Sequence, residues 1–354
     1  MRVALYSHNI DFAGTWRSHE RLAEVMQNVP GVAVDVFFSP DVENNRLSVA
    51  KGILSNCEFV PFQRSREKSG PDTGYAPITS DIEKVAAKRS LDVFHFARSG
   101  YYEWPFNRRI ANIHVETNIF GYTDTSGLLD GSVVIARCLG IPESPSRTLI
   151  PNPIPAPTSS YNSIASLRHE LGIDSDTLVF GRIGRPANFI PISLDAFDSF
   201  RKIKKSKYII IGACDEARNF VIQRSMQDDV ILLECTNDDA YIERFHKTID
   251  VFAHYRSDGE ICSTAIAQAM MYGIPVITHT AGHNGQIEWL GEGGLFARNA
   301  QEYLNAMLSM TLQDKYVMMS ISAKKFAETH FDQRAVTHRV LEFYRRLMML
   351  RSKT

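Results

Sequence analysis

Residues 248–280 read TIDVFAHYRSDGEICSTAIAQAMMYGIPVITHT. The apolar run from Ile249 should be a strand ending near Tyr255, and RSDGE the loop at its carboxyl end. Ser263 or Thr264 is placed to cap a helix that runs to about Tyr272 and stops at Gly273. Ile274-Pro275 then leads into a second apolar run. Strand, loop, helix and strand form a βαβ unit. Its strands show little polar alternation, which marks a parallel sheet covered on both faces.

The same alternation fills the chain. RVALY, VDVFF, DVFHFA, ANIHVE and GSVVIA read as strands of a first part, and TLVFGRIG, KYIIIGA, VILLE, TIDVFAHY and IPVITHT as strands of a second. Helical patterns such as SHERLAEVM and NAQEYLNAML lie between them. The stretch PNPIPAPTSSYNS at 151–163 has four prolines in its first seven residues, which no helix or strand interior accommodates. We therefore expect an α/β chain of two doubly wound, Rossmann-like domains, 1–155 and 156–334, joined by a short hinge and facing a cleft. Val336, Val340, Phe343 and Leu347 space a last helix, within 335–354, expected to return to the first domain. The polar stretch QRSREKSGPDTGY at 63–75 reads as a mobile surface loop.

Bulk properties narrow the function. A chain of 354 residues exceeds one comfortable core. With 44% hydrophobic and 22% charged residues it is an ordinary globular protein. Its 39 basic and 40 acidic residues leave a net charge of -1, so no bulk field favours nucleic acid. Five scattered cysteines without a C-x-x-C pair argue for reduced thiols in the cytoplasm. The amino-terminal apolar run is a first strand rather than a signal peptide, and no run approaches the roughly 18 residues that span a bilayer. A peripheral membrane contact stays open.

In open parallel sheets, ligands bind beyond the carboxyl ends of the strands, so the loops there hold the candidates. Glu260 stands beside a helix N-terminus, where free N–H groups suit phosphate and a carboxylate can accept from sugar hydroxyls. Taken alone, it equally suits offsetting the helix dipole. In FGRIGRPANF, 180–189, the strand delivers Arg182 and Arg185 at or just past its end. Two guanidiniums there fit a diphosphate, although arginine alone usually marks a solvated surface. Gly14 lies in the loop DFAGTW after the first strand, and His114 near a strand end in NIHVETNIFG. Each by itself reads more simply as a turn residue or a structural histidine. The G-x-G-x-x-G dinucleotide fingerprint is absent, which disfavours a dehydrogenase.

Order and spacing together resemble the glycosyltransferase family 4 group of retaining GT-B enzymes. The family carries a glutamate, seven residues and a second glutamate, followed by A-M and G-x-P-V. Here Glu260, ICSTAIA, Gln268, Ala269-Met270 and Gly273-Ile274-Pro275-Val276 occupy that frame. GRIGR matches a family strand end, LIPNPI at 149–154 its hinge, and NGQIEWL at 284–290 an N-x-Q-x-E segment of a bacterial-type subset. The match is strong over 177–290 and loose over 1–130.

The resemblance implies that Glu260 contacts the transferred sugar and that Gln268, where a glutamate is usual, meets the ribose. It gives Arg182 the diphosphate, with Arg185 standing in for a lysine that 182–201 lacks. Ser263 and Thr264 fall on the donor side, Gly14 in the family's first glycine-bearing loop, and His114 near the sugar. Ile261, Cys262 and Ser263 replace the usual glycines after the first glutamate. The expected activity is retaining, metal-independent transfer from a nucleoside diphosphate sugar to a hydroxyl of a glycan, glycolipid or glycoconjugate. No further cofactor and no nucleic acid partner are expected. A catalytically degenerate nucleotide-sugar binder is the alternative, with an epimerase or phosphorylase as a further rival.

Overall fold

The computed structural model describes residues 1–12, 14–42, 44–66, 78–98, 104–158, 160–186 and 188–353. Most of the loop read at 63–75 lies outside them. The chain divides into two compact units, Met1–Pro153 with Gln333–Thr354, and Ile154–Asp332.

The first unit contains β1 (Arg2–Ser7), β2 (Ala33–Phe38), β3 (Glu58–Pro61), the short ribbon β4 (Arg64–Arg66) and β5 (Ile78–Ser80), β6 (Leu91–Arg98), β7 (Ala111–Asn118), β8 (Gly131–Val134) and β9 (Arg147–Leu149). Among the described residues, seven of these strands form one sheet in the order β3-β2-β1-β6-β7-β8-β9. Every neighbouring pair in it is parallel. The helices Gly14–Met26 and Gln333–Arg351 bury Trp16, Leu22, Met26, Val336, Val340, Phe343 and Leu347 in one core with Val3, Leu5, Val93 and Val115. Each such side chain contributes about 1.5–3 kcal/mol on leaving water. A second core, with Tyr6, Phe37, Phe62, Phe94, Phe96, Trp104 and Phe106, gathers residues pointing the other way along the strands.

The second unit carries β10 (Leu178–Ile183), β11 (Ser206–Ile211), β12 (Val230–Leu233), β13 (Val251–Ala253), β14 (Val276–His279) and β15 (Gly294–Ala297). They form a parallel sheet in the order β12-β11-β10-β13-β14-β15. Strand order reverses between β10 and β13, the topological switch point where such sheets take their ligands. In the first unit the same reversal falls between β1 and β6.

The local readings meet three differences. The strand expected to reach Tyr255 stops at Ala253, because the Tyr255 carbonyl turns to Arg182 and the Arg256 N–H to His279. The helix at SHERLAEVM begins earlier, at Gly14. The short strands β3, β9 and β15 carry too few apolar residues to stand out as runs.

Candidate active site

The site is built at the switch point of the second unit. Arg182 is the fifth residue of β10, 4% exposed. Its guanidinium lies over the Tyr255 ring, 4.2 Å from the centroid. Its hydrogen bonds are long ones to carbonyls: Nε to Tyr255 O at 3.4 Å and one terminal nitrogen to Arg185 O at 3.5 Å. The other terminal nitrogen is buried without a partner. A side chain at Gly184 would stand 2.9 Å from that guanidinium, so the glycine leaves the room in which it folds over. The guanidinium has no carboxylate partner among the described residues, and a buried cation so placed is costly. Arg185 is exposed just beyond.

The helix Thr264–Met271 starts as its sequence dictates. Ser263 is its N-cap, the hydroxyl accepting from Ile266 N at 3.4 Å. The other first-turn N–H groups, including that of Thr264, have no intrahelical acceptor. Glu260 lies just ahead of this end, with a carboxylate oxygen 3.4 Å from Arg256 and 3.8 Å from Nε2 of His254. Burial raises the Glu260 carboxyl, but His254 and Arg256 outweigh it and hold it below the ordinary value. Burial lowers His254 below its ordinary value; Glu260 pulls the other way, and the charge of Arg182 adds to the lowering. His254 thus links the Arg182 and Glu260 environments, with Nδ1 2.8 Å from the Thr278 hydroxyl.

The Glu260 loop is clamped to the loop after β14. Gln286, 1% exposed, accepts from Glu260 N at 2.9 Å. Its amide donates to His279 O at 2.9 Å and Ala281 O at 3.0 Å. A Cβ on Gly285 would stand 1.9 Å from Ile261 O, so only glycine lets the two backbones approach this closely.

Gln268 sits on the second turn of the helix, half-buried. Its side chain interacts with the Tyr272 hydroxyl, which donates to Glu243 at 3.3 Å. No hydrogen bond joins it to Glu260 or Arg182 among the described residues.

The remaining two candidates lie in the first unit. Gly14 opens the helix Gly14–Met26, and a Cβ there would meet nothing within 4 Å. His114 was expected near a strand end and is not there. It is the fourth residue of eight in β7, fully buried, with Phe94, Phe106 and Trp104 around its ring. Its Nε2 accepts from Ile110 N at 3.2 Å and its Nδ1 lies 3.2 Å from Leu128 O. Burial, aided by Arg109, pushes it down to about 4. A neutral histidine with both nitrogens engaged has the surroundings of a structural group.

Sequence reasoning did not find His254, Arg256 or Gln286 as site residues. The N-x-Q-x-E segment contained the signal for Gln286. Among the described residues, no group of three or more His, Cys, Asp or Glu side chains is placed to hold a metal ion. A cavity of about 270 Å³ borders Leu178, Asp250 and Tyr316, at the amino end of β10 and so at the opposite end of the strand from Arg182.

Two parallel sheets with this order define the GT-B class. Residues 175–313 match the family of glycosyl transferases group 1. No curated protein sequence matches the chain. Among solved structures, a glycosyltransferase from Rickettsia africae superposes with a TM-score of 0.75 at 11% identity, covering 98% of each chain. HepE from Anabaena, in complex with UDP and glucose, gives 0.67 at 15% identity over 96% of this chain and 98% of that one. A sucrose-phosphate synthase from Thermosynechococcus elongatus gives 0.66 at 15% identity over 99% and 100%. The chain thus has the GT-B fold, and residues 175–313 of its second unit match the glycosyl transferases group 1 family.

Proposed function

We propose that the chain is a retaining glycosyltransferase that moves a sugar from a nucleoside diphosphate sugar to a hydroxyl of a glycan, glycolipid or glycoconjugate. The observation that carries this reading is Arg182, buried at the β10–β13 switch point with carbonyls and a ring face as its partners among the described residues. A diphosphate supplies the missing charge. The family match and the UDP and glucose held by HepE support the donor class.

In this reading Arg182, Arg185 and the helix end at Ser263 and Thr264 face the diphosphate, Glu260 the sugar hydroxyls and Gln268 the ribose. Gly14 leaves room for ligand beside the first loop. The first unit, 1–153 with the terminal helix, serves as the acceptor side. The reaction breaks the bond from the sugar's anomeric carbon to the phosphate oxygen and forms one to the acceptor oxygen on the same face. The acceptor proton passes to the departing diphosphate. Negative charge grows on that diphosphate, and fixed arginines and N–H dipoles stabilise it in place. We read the reaction as metal-independent because these groups provide the positive charge.

Turnover after EDTA treatment tests this; complete loss restored by magnesium or manganese opposes it. One observation favours the degenerate alternative: Gln268 is already engaged by Tyr272. Donor binding without any turnover or slow donor hydrolysis would establish it. No disulfide joins the five cysteines among the described residues, which supports a cytoplasmic setting. No helix among the described residues is long and apolar enough to cross a membrane.

A further inference from the structure

The first unit has its own buried arginine with no ion pair among the described residues. After β3, Phe62 N donates to Phe38 O at 3.0 Å, Gln63 N to Asp81 at 2.8 Å and Arg64 N to Asp41 at 3.1 Å. These bonds turn the chain across the carboxyl ends of β1 and β2. The Arg64 side chain runs inward, leaving the residue 5% exposed. Its first terminal nitrogen lies 2.6 Å from the Tyr6 hydroxyl and 2.7 Å from Nδ1 of His8. The Tyr6 and His8 rings stand 4.8 and 5.0 Å from Phe96 of β6. The guanidinium therefore sits at the β1–β6 reversal, the ligand position of a doubly wound sheet.

Among the described residues its side chain meets no anion. Its two partners are a hydroxyl and an imidazole nitrogen. Asp41, the carboxylate bonded to this residue, takes the backbone N–H. Nε is buried with no partner, and the second terminal nitrogen makes no hydrogen bond among the described residues. Nε and that nitrogen form the edge with which arginine grips an oxyanion by two parallel bonds. A guanidinium withdrawn from water among aromatic rings and left without a counter-charge is expensive. The arrangement repeats that of Arg182 at the other sheet.

We propose that Arg64 is the centre of an oxyanion subsite of the first unit, and that the acceptor carries a carboxylate or a phosphate there, bound by the Nε edge. Tyr6 and His8 orient the guanidinium from its other side. The proposal rests on the reading of this unit as the acceptor side.

The test follows the arginine Nε–H resonances of the full chain labelled with nitrogen-15. The Arg64 signal is identified by its loss in Arg64→Lys. Inorganic phosphate and acetate are titrated separately, with chloride as control. The expected result is a saturable shift of the Arg64 signal with phosphate, with acetate or with both, which also separates the two sources. Arg64→Gln should weaken that binding at least about tenfold. It should leave nucleoside diphosphate affinity and donor hydrolysis unchanged. If a variant fails to fold, the signal is assigned through its bonded neighbours in the natural chain. An Arg64 signal that ignores both anions, or that moves equally with chloride, overturns the subsite. A silent Arg64 with intact donor turnover sinks the subsite alone. A responsive Arg64 in a chain that never binds nucleotide sinks the transferase reading and leaves the subsite.

Discussion

The side-chain carbonyl of Gln286 accepts the backbone N–H of Glu260 at 2.9 Å, and its amide donates to two carbonyls of its own loop. One buried side chain therefore fixes where the acid of the site begins. Gln286→Ala leaves a buried N–H and two carbonyls unpaired, at about 1–3 kcal/mol, or roughly 5- to 150-fold. We expect most of this in kcat. Gln286→Glu cannot donate to the carbonyls and should rescue little. Steady-state kinetics with the donor decide it: unchanged kcat in Gln286→Ala removes Gln286 as a positioning residue.

Glu260→Gln should lower turnover far more than affinity for the free nucleoside diphosphate. The carboxylate faces Arg256 and His254 ahead of the helix end rather than the Arg182 guanidinium directly. Calorimetry with the nucleotide and rates with the donor sugar separate the two effects. Equal losses in both would move Glu260 to the nucleotide.

Gln268→Ala should weaken donor binding by roughly 1 kcal/mol, the worth of one net hydrogen bond. Gln268→Glu should keep more of the affinity, since a carboxylate accepts from ribose hydroxyls. Against that gain, it brings a second carboxylate towards the Tyr272 hydroxyl already bonded to Glu243. Donor titration of both variants checks this; parental affinity in Gln268→Ala would show that the residue serves only the helix.

Acid should destabilise the fold through its buried histidines. His114 and His246 are pushed down to about 4 and His19 to about 3, burial being the largest cause in each. Unfolded, each regains an ordinary value near 6.5. Below that pH the unfolded chain takes up protons that the native chain refuses. Stability is thus complete above about pH 6.5 and declines as pH falls towards 4, by on the order of 3 kcal/mol for His114 alone. Urea denaturation across pH should show a shallower acid limb in His114→Gln, with turnover at neutral pH largely kept. A loss of turnover in the thousands would instead support the catalytic role expected for His114.

Legibility in the sequence followed the range of each interaction. The strands β10, β11 and β14 and the helix Thr264–Met271 were readable because apolar runs, a capping serine and a following glycine act within a few residues. The strands β3 and β15 were not, since each is four residues with exposed positions and is held by its neighbour's hydrogen bonds. For the site, Arg182 and Glu260 could be picked from the loops at strand ends. The burial of Arg182 could not, because it depends on Tyr255, 73 residues further on. His114 was misplaced because one histidine in an apolar run does not reveal how far the strand continues. Gln286 meets Glu260 across 26 residues, through loops whose path only the fold defines.

On the proposed function, the buried Arg182 guanidinium takes a diphosphate as its counter-charge. Calorimetric titration of UDP and GDP into the natural chain and Arg182→Met measures it most directly. We expect one nucleoside diphosphate to bind per natural chain. We expect a loss of about 2–5 kcal/mol in Arg182→Met, with a smaller loss in Arg185→Met. Unliganded Arg182→Met should be at least as stable as the natural chain, since a buried unpaired charge has gone. Equal affinity of the natural chain and Arg182→Met for the nucleotide they bind, or no nucleoside diphosphate binding at all, would contradict this reading.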